Sequence, residues 1–297
     1  MDGDDFHSPF DFLSFYNDED AGKMKWGIIS PTSKHFQNKM QWAFEGRDCM
    51  YSSRTGKTVK VLDREVQTVA FNEMLEQVDS VYVCTPSETH FGIVRKCLKK
   101  GKDVLCEKPL CMDVKEFKIL RELATKKQKK LGMVFQPFFK SAIPMLANIG
   151  QSNIPQMKGL KEGEAVFTIQ LHQENLVFDV GIYPAMYAVL LSGDIDWNNT
   201  CFETFGAVDI ARLLFKNKQQ WFLKCSDNFP FEQRVTLIGD DWTLNIDKPF
   251  TDEPKSHIYN DVVDDFEHGF LFDRAVELFG SSLELLCKWR DFCDENA

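Results

Sequence analysis

Two short segments of the chain hold side chains suited to moving a proton at a hydroxyl. In Phe178-Asp179-Val180-Gly181-Ile182-Tyr183-Pro184, the acid and the tyrosine stand four residues apart. A helix beginning here would bring both to the same side of its first turn, and Pro184 is tolerated near such a start. A capping aspartate and a half-buried tyrosine would leave the same trace. A phenol, with a free pKa of about 10, is a poor base at neutral pH. It becomes useful beside an ammonium group, which stabilises tyrosinate and a developing alkoxide together. The second segment, Cys106-Glu107-Lys108-Pro109-Leu110, carries such a cation.

The elements around Lys108 follow from the stretch Asp79 to Leu110. Val81 to Cys84 is a β-rich run stopped by Thr85-Pro86, and Phe91, Val94, Cys97 and Leu98 then fall at helical spacing until Gly101. Val104 to Cys106 follows as a second apolar strand. Two such strands joined by a helix need a crossover, so they lie parallel in a covered sheet. Ligands of these sheets collect at the carboxyl ends of the strands. Here those ends carry Thr85-Pro86 and Glu107-Lys108-Pro109.

Thr85-Pro86 with His90, then Gly101-Lys102, then Cys106-Glu107-Lys108-Pro109-Leu110 resembles the signature of the glucose-fructose oxidoreductase and inositol dehydrogenase (Gfo/Idh/MocA) family. The segment from Phe178 to Pro184 is similar to that family's Asp-x-Gly-x-(His/Tyr) motif, with tyrosine pointing to its dihydrodiol dehydrogenase and D-xylose dehydrogenase branch. The resemblance implies an oxidoreductase passing a hydride between a nicotinamide cofactor and a carbinol of a sugar or a trans-dihydrodiol. It implies Lys108 and Tyr183 as the catalytic pair, with Asp179 orienting them or the substrate. Glu107 is expected to brace Lys108, and the bond before Pro109 is of the kind that can be cis. His90 is expected to be a structural or cofactor-edge residue.

The first strand, Lys25 to Ile29, is followed in the family by a glycine-rich turn, which lets a pyrophosphate approach a helix start. Here the turn reads Ser30-Pro31-Thr32-Ser33 and is about two residues shorter than the family's. A Cβ hinders close approach, and Pro31 has no N–H for an oxygen. Two readings stand: Thr32, Ser33 and the following amides hold a phosphate, or the loop has lost its ligand and the protein is a catalytically silent binding or interaction module. The second strand, Asp48 to Ser53, ends without an acid, and Arg54 follows it. An acid there would suit the ribose hydroxyls of NAD, whereas arginine suits the 2′-phosphate of NADP, so NADP is expected over NAD. The expected cofactor-facing set is Ser30, Thr32, Ser33, Arg54, Thr85, Pro86, His90, Glu107, Lys108 and Pro109. A short third strand is expected at Thr68 to Ala70, with Asn72 capping a helix from Glu73 to Gln77.

Residues 113–130 show a helical apolar face, and Met133 to Phe135 reads as a further parallel strand. Phe138-Phe139-Lys140 and Pro144 stand where the family often has an aromatic Arg-Phe-x-Pro segment. Beyond about Ser141 the pattern changes to alternating strands at Val166–Leu171, Ile210–Phe215, Trp221–Cys225, Val235–Ile238 and Trp242–Ile246. Ser281-x-x-Glu284 reads as a capping box opening a last helix. The expected architecture is an acidic tail over 1–23, disordered by composition, a Rossmann-type parallel-sheet domain over 24–142 and an α+β domain over 143–297 with an open, mainly antiparallel sheet. The resemblance implies a homodimer through that sheet.

Composition narrows the function classes. The net charge is −10, of which the first 23 residues carry −6, seven acids against one lysine. An acidic chain argues against nucleic acid and anionic membranes as partners and leaves a small-molecule substrate. The nine cysteines are scattered with no Cys-x-x-Cys, and the six histidines show no paired ligand spacing, so neither a disulfide framework nor a metal site is expected. No apolar run reaches about 18 residues and no basic-then-apolar leader occurs, which suits a cytoplasmic protein.

Overall fold

The computed structural model describes residues 24–139, 159–170, 175–249, 258–269 and 271–296. The acidic tail, Lys140 and Pro144, and the expected start of the second domain lie outside them. Five short strands, β1 (Trp26–Ile29), β2 (Cys49–Ser52), β5 (Ser80–Val83), β6 (Asp103–Cys106) and β7 (Leu131–Met133), form a sheet in the order β2-β1-β5-β6-β7. All its pairings are parallel. The expected third strand is reduced to one parallel bridge between Ser52 and Val69.

Between β2 and that bridge lies an antiparallel hairpin, β3 (Thr58–Val61) and β4 (Arg64–Gln67), in place of a crossover helix. Its turn residues Leu62 and Asp63 both have positive φ, 50° and 52°. That geometry normally calls for Asn-Gly or Asp-Gly, so the sequence gives no turn signal here. The next helix, α1, runs Phe71–Leu75 behind Ala70 and has no side-chain cap, so Asn72 lies inside it rather than before it. The helices α2 (His90–Lys99) and α3 (Val114–Lys127) cover one face of the sheet. Asp113 caps α3 by accepting hydrogen bonds from the Lys115 and Glu116 amides.

The other face is covered from two distant parts of the chain. Phe36, Met40 and Phe44 come from the helical run after β1, and Ile258, Val262, Val263 and Phe266 from helix α5 (Ile258–His268). Trp26, Ile28, Tyr82 and Leu105 of the strands meet them. A Cβ on Gly132 of β7 would lie 2.8 Å from Phe266 Cδ2, so glycine lets α5 seat directly on the strand.

The second sheet has the order β13-β12-β8-β11-β10-β9, from β8 (Glu162–Thr168), β9 (Cys201–Phe205), β10 (Val208–Leu214), β11 (Gln220–Ser226), β12 (Glu232–Ile238) and β13 (Thr243–Asp247). Only β8 and β11 pair in parallel. The first strand thus lies about four residues before the expected Val166–Leu171. Its Ala165 and Phe167, with Trp221, Leu223, Val235 and Leu237, are buried in one core with α4 (Ile182–Ser192) and the last helix, α6 (Leu271–Asn296). That helix is continuous through Ser281, whose hydroxyl donates to the Glu277 carbonyl one turn back. The capping-box reading is therefore corrected: Leu283, Leu286 and Trp289 are fully buried, and tertiary packing carries the helix through a pattern that could have opened it.

Because α5 closes the parallel sheet, truncating its main contact should weaken the amino-terminal fold. Phe266→Ala is expected to lower the free energy of urea unfolding by about 3–5 kcal/mol. A loss below about 1 kcal/mol would show that α5 does not hold that face.

Candidate active site

Strand β6 ends at Cys106, and the alternation of the strand turns Glu107 toward the α5 side of the sheet. Its Oε1 accepts a 2.6 Å hydrogen bond from the Tyr82 hydroxyl. His35, from the helical run after β1, places Nε2 2.8 Å from the same oxygen, at ion-pair distance but out of line for a good hydrogen bond. Burial pushes the Glu107 carboxyl up, but His35, Tyr82 and Lys108 overcome it and hold the carboxyl below its ordinary value of 4.5.

Lys108 leaves the strand on the other side, through a cis peptide bond to Pro109. Its Nζ donates to the main-chain oxygen of Asp179 at 2.8 Å and lies 3.6 Å from the Asp179 carboxylate. The same ammonium sits 5.5 Å from the centre of the Tyr183 ring. Asp179 and Tyr183, 71 and 75 positions further along the sequence, are thus brought to Lys108. The Lys108 and Asp179 side chains keep about a fifth of their surface exposed, 19% and 22%, so a small molecule can reach both.

Asp179 lies in a wide helical turn, Val177–Gly181, that runs straight into α4. Pro184 lacks the N–H that a regular turn would use, which accounts for the wide winding just before it. Tyr183 is buried, stacked against Phe135 at 5.6 Å and edge-on to Phe167 at 5.2 Å. Its hydroxyl donates to Gln136 Oε1 at 3.4 Å, and Gln136 Nε2 donates to the Tyr259 hydroxyl at 2.7 Å. Burial raises the Tyr183 phenol well above its ordinary range, and Tyr259, Glu107 and Asp179 add to this.

The loop after β1 has the backbone of a glycine turn without the glycine. Ser30 adopts φ of +62°, and the Ser33 amide donates to the Ser30 carbonyl at 2.9 Å. The Pro31 ring is buried, while its carbonyl accepts from Gln37 Nε2 at 2.6 Å. Ser33 Oγ caps the Phe36 amide at 3.2 Å. Ser30 and Ser33 stay half-exposed and Thr32 fully so. With the proline turned inward, the hydroxyls and the helix start are what this loop offers at the strand end, a set that fits a phosphate-bearing cofactor.

The remaining expected residues fall as follows. Thr85, Pro86 and Pro109 lie at the neighbouring ends of β5 and β6, and Arg54 is exposed beyond β2. His90 is enclosed: Nδ1 lies 2.7 Å from the Pro109 carbonyl and Nε2 2.8 Å from the Thr85 carbonyl, so the ring ties the two strand-end loops together. His35, Tyr82, Gln136 and Tyr259 were not singled out by the sequence. Gln136 follows β7 by three residues, and the strand-end rule could have found it; Tyr82 and Tyr259 carry no local signal. A cavity of about 430 Å³ lies elsewhere, lined by Asn175, Leu176, Asp209, Arg290 and others. Neither Lys108 nor Tyr183 borders it, so the convergence of polar groups, not the size of a cavity, locates the candidate site. Among the described residues no group of His, Cys, Asp or Glu could hold a metal ion, and no helix is long and apolar enough to cross a membrane.

A covered parallel sheet with polar side chains gathered beyond its strand ends is the arrangement of dinucleotide-type folds. Residues 25–135 match the model of the Gfo/Idh/MocA oxidoreductase family, NAD-binding Rossmann fold. The chain is similar to trans-1,2-dihydrobenzene-1,2-diol dehydrogenase from Danio rerio, 24% identical over 195 residues that span 60% of this chain and 58% of that one. It is similar to inositol 2-dehydrogenase from Rhizobium meliloti, 29% identical over 75 residues, 25% of this chain and 23% of that one. The matched stretch covers less than two thirds of either relative. Among solved structures, a 3-ketoreductase from Actinomadura kijaniata in complex with NADP superposes with a TM-score of 0.71 at 18% identity, over 89% of this chain and 96% of that one. Aldose-aldose oxidoreductase from Caulobacter crescentus gives 0.71 at 15% identity, over 93% and 99%. At these identities the likeness is one of fold.

The state of Glu107 can be read through its phenolic partner. A depressed carboxyl adds stability that is fully present above its unfolded pKa, near 4.5, and is lost as pH falls through the lower folded value. Tyr82→Phe keeps the ring packing and removes one hydrogen bond to the charged form, an expected cost of about 1.5–3 kcal/mol at neutral pH. The gap to the parent protein should close as pH drops from about 5 toward 3. Urea unfolding across that range checks it, and a gap that stays constant throughout would show that Glu107 is not held as the anion.

Proposed function

We propose that the protein is an NADP-dependent oxidoreductase that transfers a hydride between a nicotinamide and the carbinol of a sugar or trans-dihydrodiol. The observation that carries this reading is the convergence of Lys108, Asp179 and Tyr183 at the carboxyl end of β6. Ser30, Thr32, Ser33, Arg54 and the strand-end loops at Thr85 and Pro109 would hold the nicotinamide cofactor, which would supply the hydride-accepting ring. Lys108 would stabilise the negative charge that develops on the substrate oxygen as its proton leaves, while the C–H bond of the carbinol carbon breaks and its electron pair goes with the hydride to the nicotinamide. Tyr183 handles the hydroxyl proton, and Asp179 keeps the ammonium in place. Oxidation yields the carbonyl compound, reduced cofactor and one proton; reduction runs the same steps backwards.

The domain limits 24–142 and 143–297 form part of the proposal, with the site between them. So does a homodimer through the outer face of the second sheet, where Lys224 and Arg234 meet Glu164 at 2.9 and 2.8 Å over a half-buried Phe222. Sedimentation at about twice the chain mass is expected. A second reading, a silent member of the fold, is favoured by the absence of glycine between Ile29 and Gly46.

Ligand binding separates the two. NADPH at a hundredfold excess over Kd should stabilise the fold by about 2.7 kcal/mol, seen as a rise in Tm. Arg54→Ala should erase the preference for NADP over NAD while retaining binding. Lys108→Met should abolish turnover of D-xylose or a trans-dihydrodiol and leave the thermal shift intact. No shift with either dinucleotide at millimolar concentration would refute the oxidoreductase and leave the silent reading.

A further inference from the structure

Gln136 is a buried amide between two buried hydroxyls, with Gln136, Tyr183 and Tyr259 exposing 3%, 3% and 1% of their surface. It comes from the turn after β7, Tyr183 from α4 and Tyr259 from α5. We propose, building on the reading of Lys108 and Tyr183 as the reacting pair, that Gln136 is a positioning residue that supports both the phenol and the phenolate of Tyr183, with Tyr259 as its counterweight.

The chemistry lies in the two ends of the amide. Its oxygen only accepts and its nitrogen only donates, whereas each hydroxyl can do either. In the observed arrangement Tyr183 donates to Oε1 and Nε2 donates to Tyr259. That polarity suits a protonated Tyr183, because a phenolate would face the negative end of the amide dipole. A half-turn about the terminal bond of the side chain exchanges the ends. The nitrogen then donates to Tyr183, and the oxygen accepts from the Tyr259 hydroxyl. Both arrangements satisfy the amide, and no counter-charge has to enter the aromatic walls formed by Phe135 and Phe167. The distances agree with an amide anchored at one end: 2.7 Å to Tyr259 against 3.4 Å to Tyr183.

The groups around Tyr183 show why a reversible neutral donor matters. Lys108, beyond β6, sets its ammonium 5.5 Å from the ring centre, a charge of the sign that suits a phenolate. Tyr259 on α5, Glu107 beyond β6 and Asp179 on the helical run of Tyr183 itself all oppose it. The elements packed on its ring add Phe135 after β7 and Phe167 of β8, which are apolar. A hydrogen bond from Nε2 to the anion adds support without a further charge.

The full chain labelled with ¹³Cζ-tyrosine gives a small spectrum of six resonances, and Tyr183→Phe assigns the one at issue. Gln136→Leu is expected to shift the Tyr183 resonance and move its titration to higher pH. Tyr259→Phe, a gentler change, should shift it in the same direction by less, and it serves if Gln136→Leu does not fold. In turnover, Gln136→Leu should lower kcat about tenfold with KM nearly unchanged, and should have no further effect in a Tyr183→Phe background. A Tyr183 resonance unmoved by both changes overturns the proposal, as do kcat losses that simply multiply. If Tyr183→Phe turns over like the parent protein, the catalytic reading fails instead, and the NMR arm still decides whether the amide controls the phenol.

Discussion

A parallel sheet presents apolar side chains on both faces and must be covered on both. In this protein that constraint organises the rest. The connection after β2 is a hairpin instead of a helix, so the face below Trp26, Tyr82 and Leu105 is only partly covered by the helical run after β1. Helix α5, returning from the end of the chain, completes it. The sequential order of the two domains therefore differs from the physical order of their cores.

The same return builds the floor of the candidate site. Seating α5 against Gly132 brings Tyr259 to Gln136 and, edge-on at 5.9 Å, to His35. Each of those residues leads to a different part of the candidate site, Gln136 to Tyr183 and His35 to Glu107. Packing and polarity are consequently coupled: the helix that closes an apolar face also supplies a hydroxyl that satisfies a buried amide. The price of burying a carboxylate at Glu107 is offset by a phenol, an imidazole and the neighbouring ammonium, each from a different element.

The loop after β1 shows how composition and conformation can part. It has no glycine, yet Ser30 occupies the left-handed region and Pro31 is buried. A non-glycine residue there carries a backbone cost that the surroundings must hold in place. Ser52, Cys84 and Gln37 do so, with the Ser30 amide donating to Ser52 O at 3.1 Å, the Cys84 thiol donating to Ile29 O at 2.9 Å and the Gln37 amide donating to Pro31 O. Those contacts come from β2, the end of β5 and the following helix, which no local pattern reveals.

Local patterns in the sequence carried the parallel sheet, whereas the grouping of Lys108 with Asp179 and Tyr183 was implied by the family resemblance of two distant motifs. Short apolar strands, a helical crossover and motifs at strand ends are local patterns, and each restricts the backbone independently of its neighbours. The two hairpins around Lys216 and Gly239 were legible for the same reason, since alternation and turn residues are both local. Tertiary structure decided the hairpin after β2, the continuity of α6 through Ser281 and the buried partners His35, Tyr82, Gln136 and Tyr259. The turn at Leu62-Asp63 runs against its residue preferences, and the apparent cap at Ser281 is overridden by the burial of Leu283, Leu286 and Trp289 around it. Polar partners from separate elements become visible only when packing removes water and each buried donor and acceptor has to find a match within the fold.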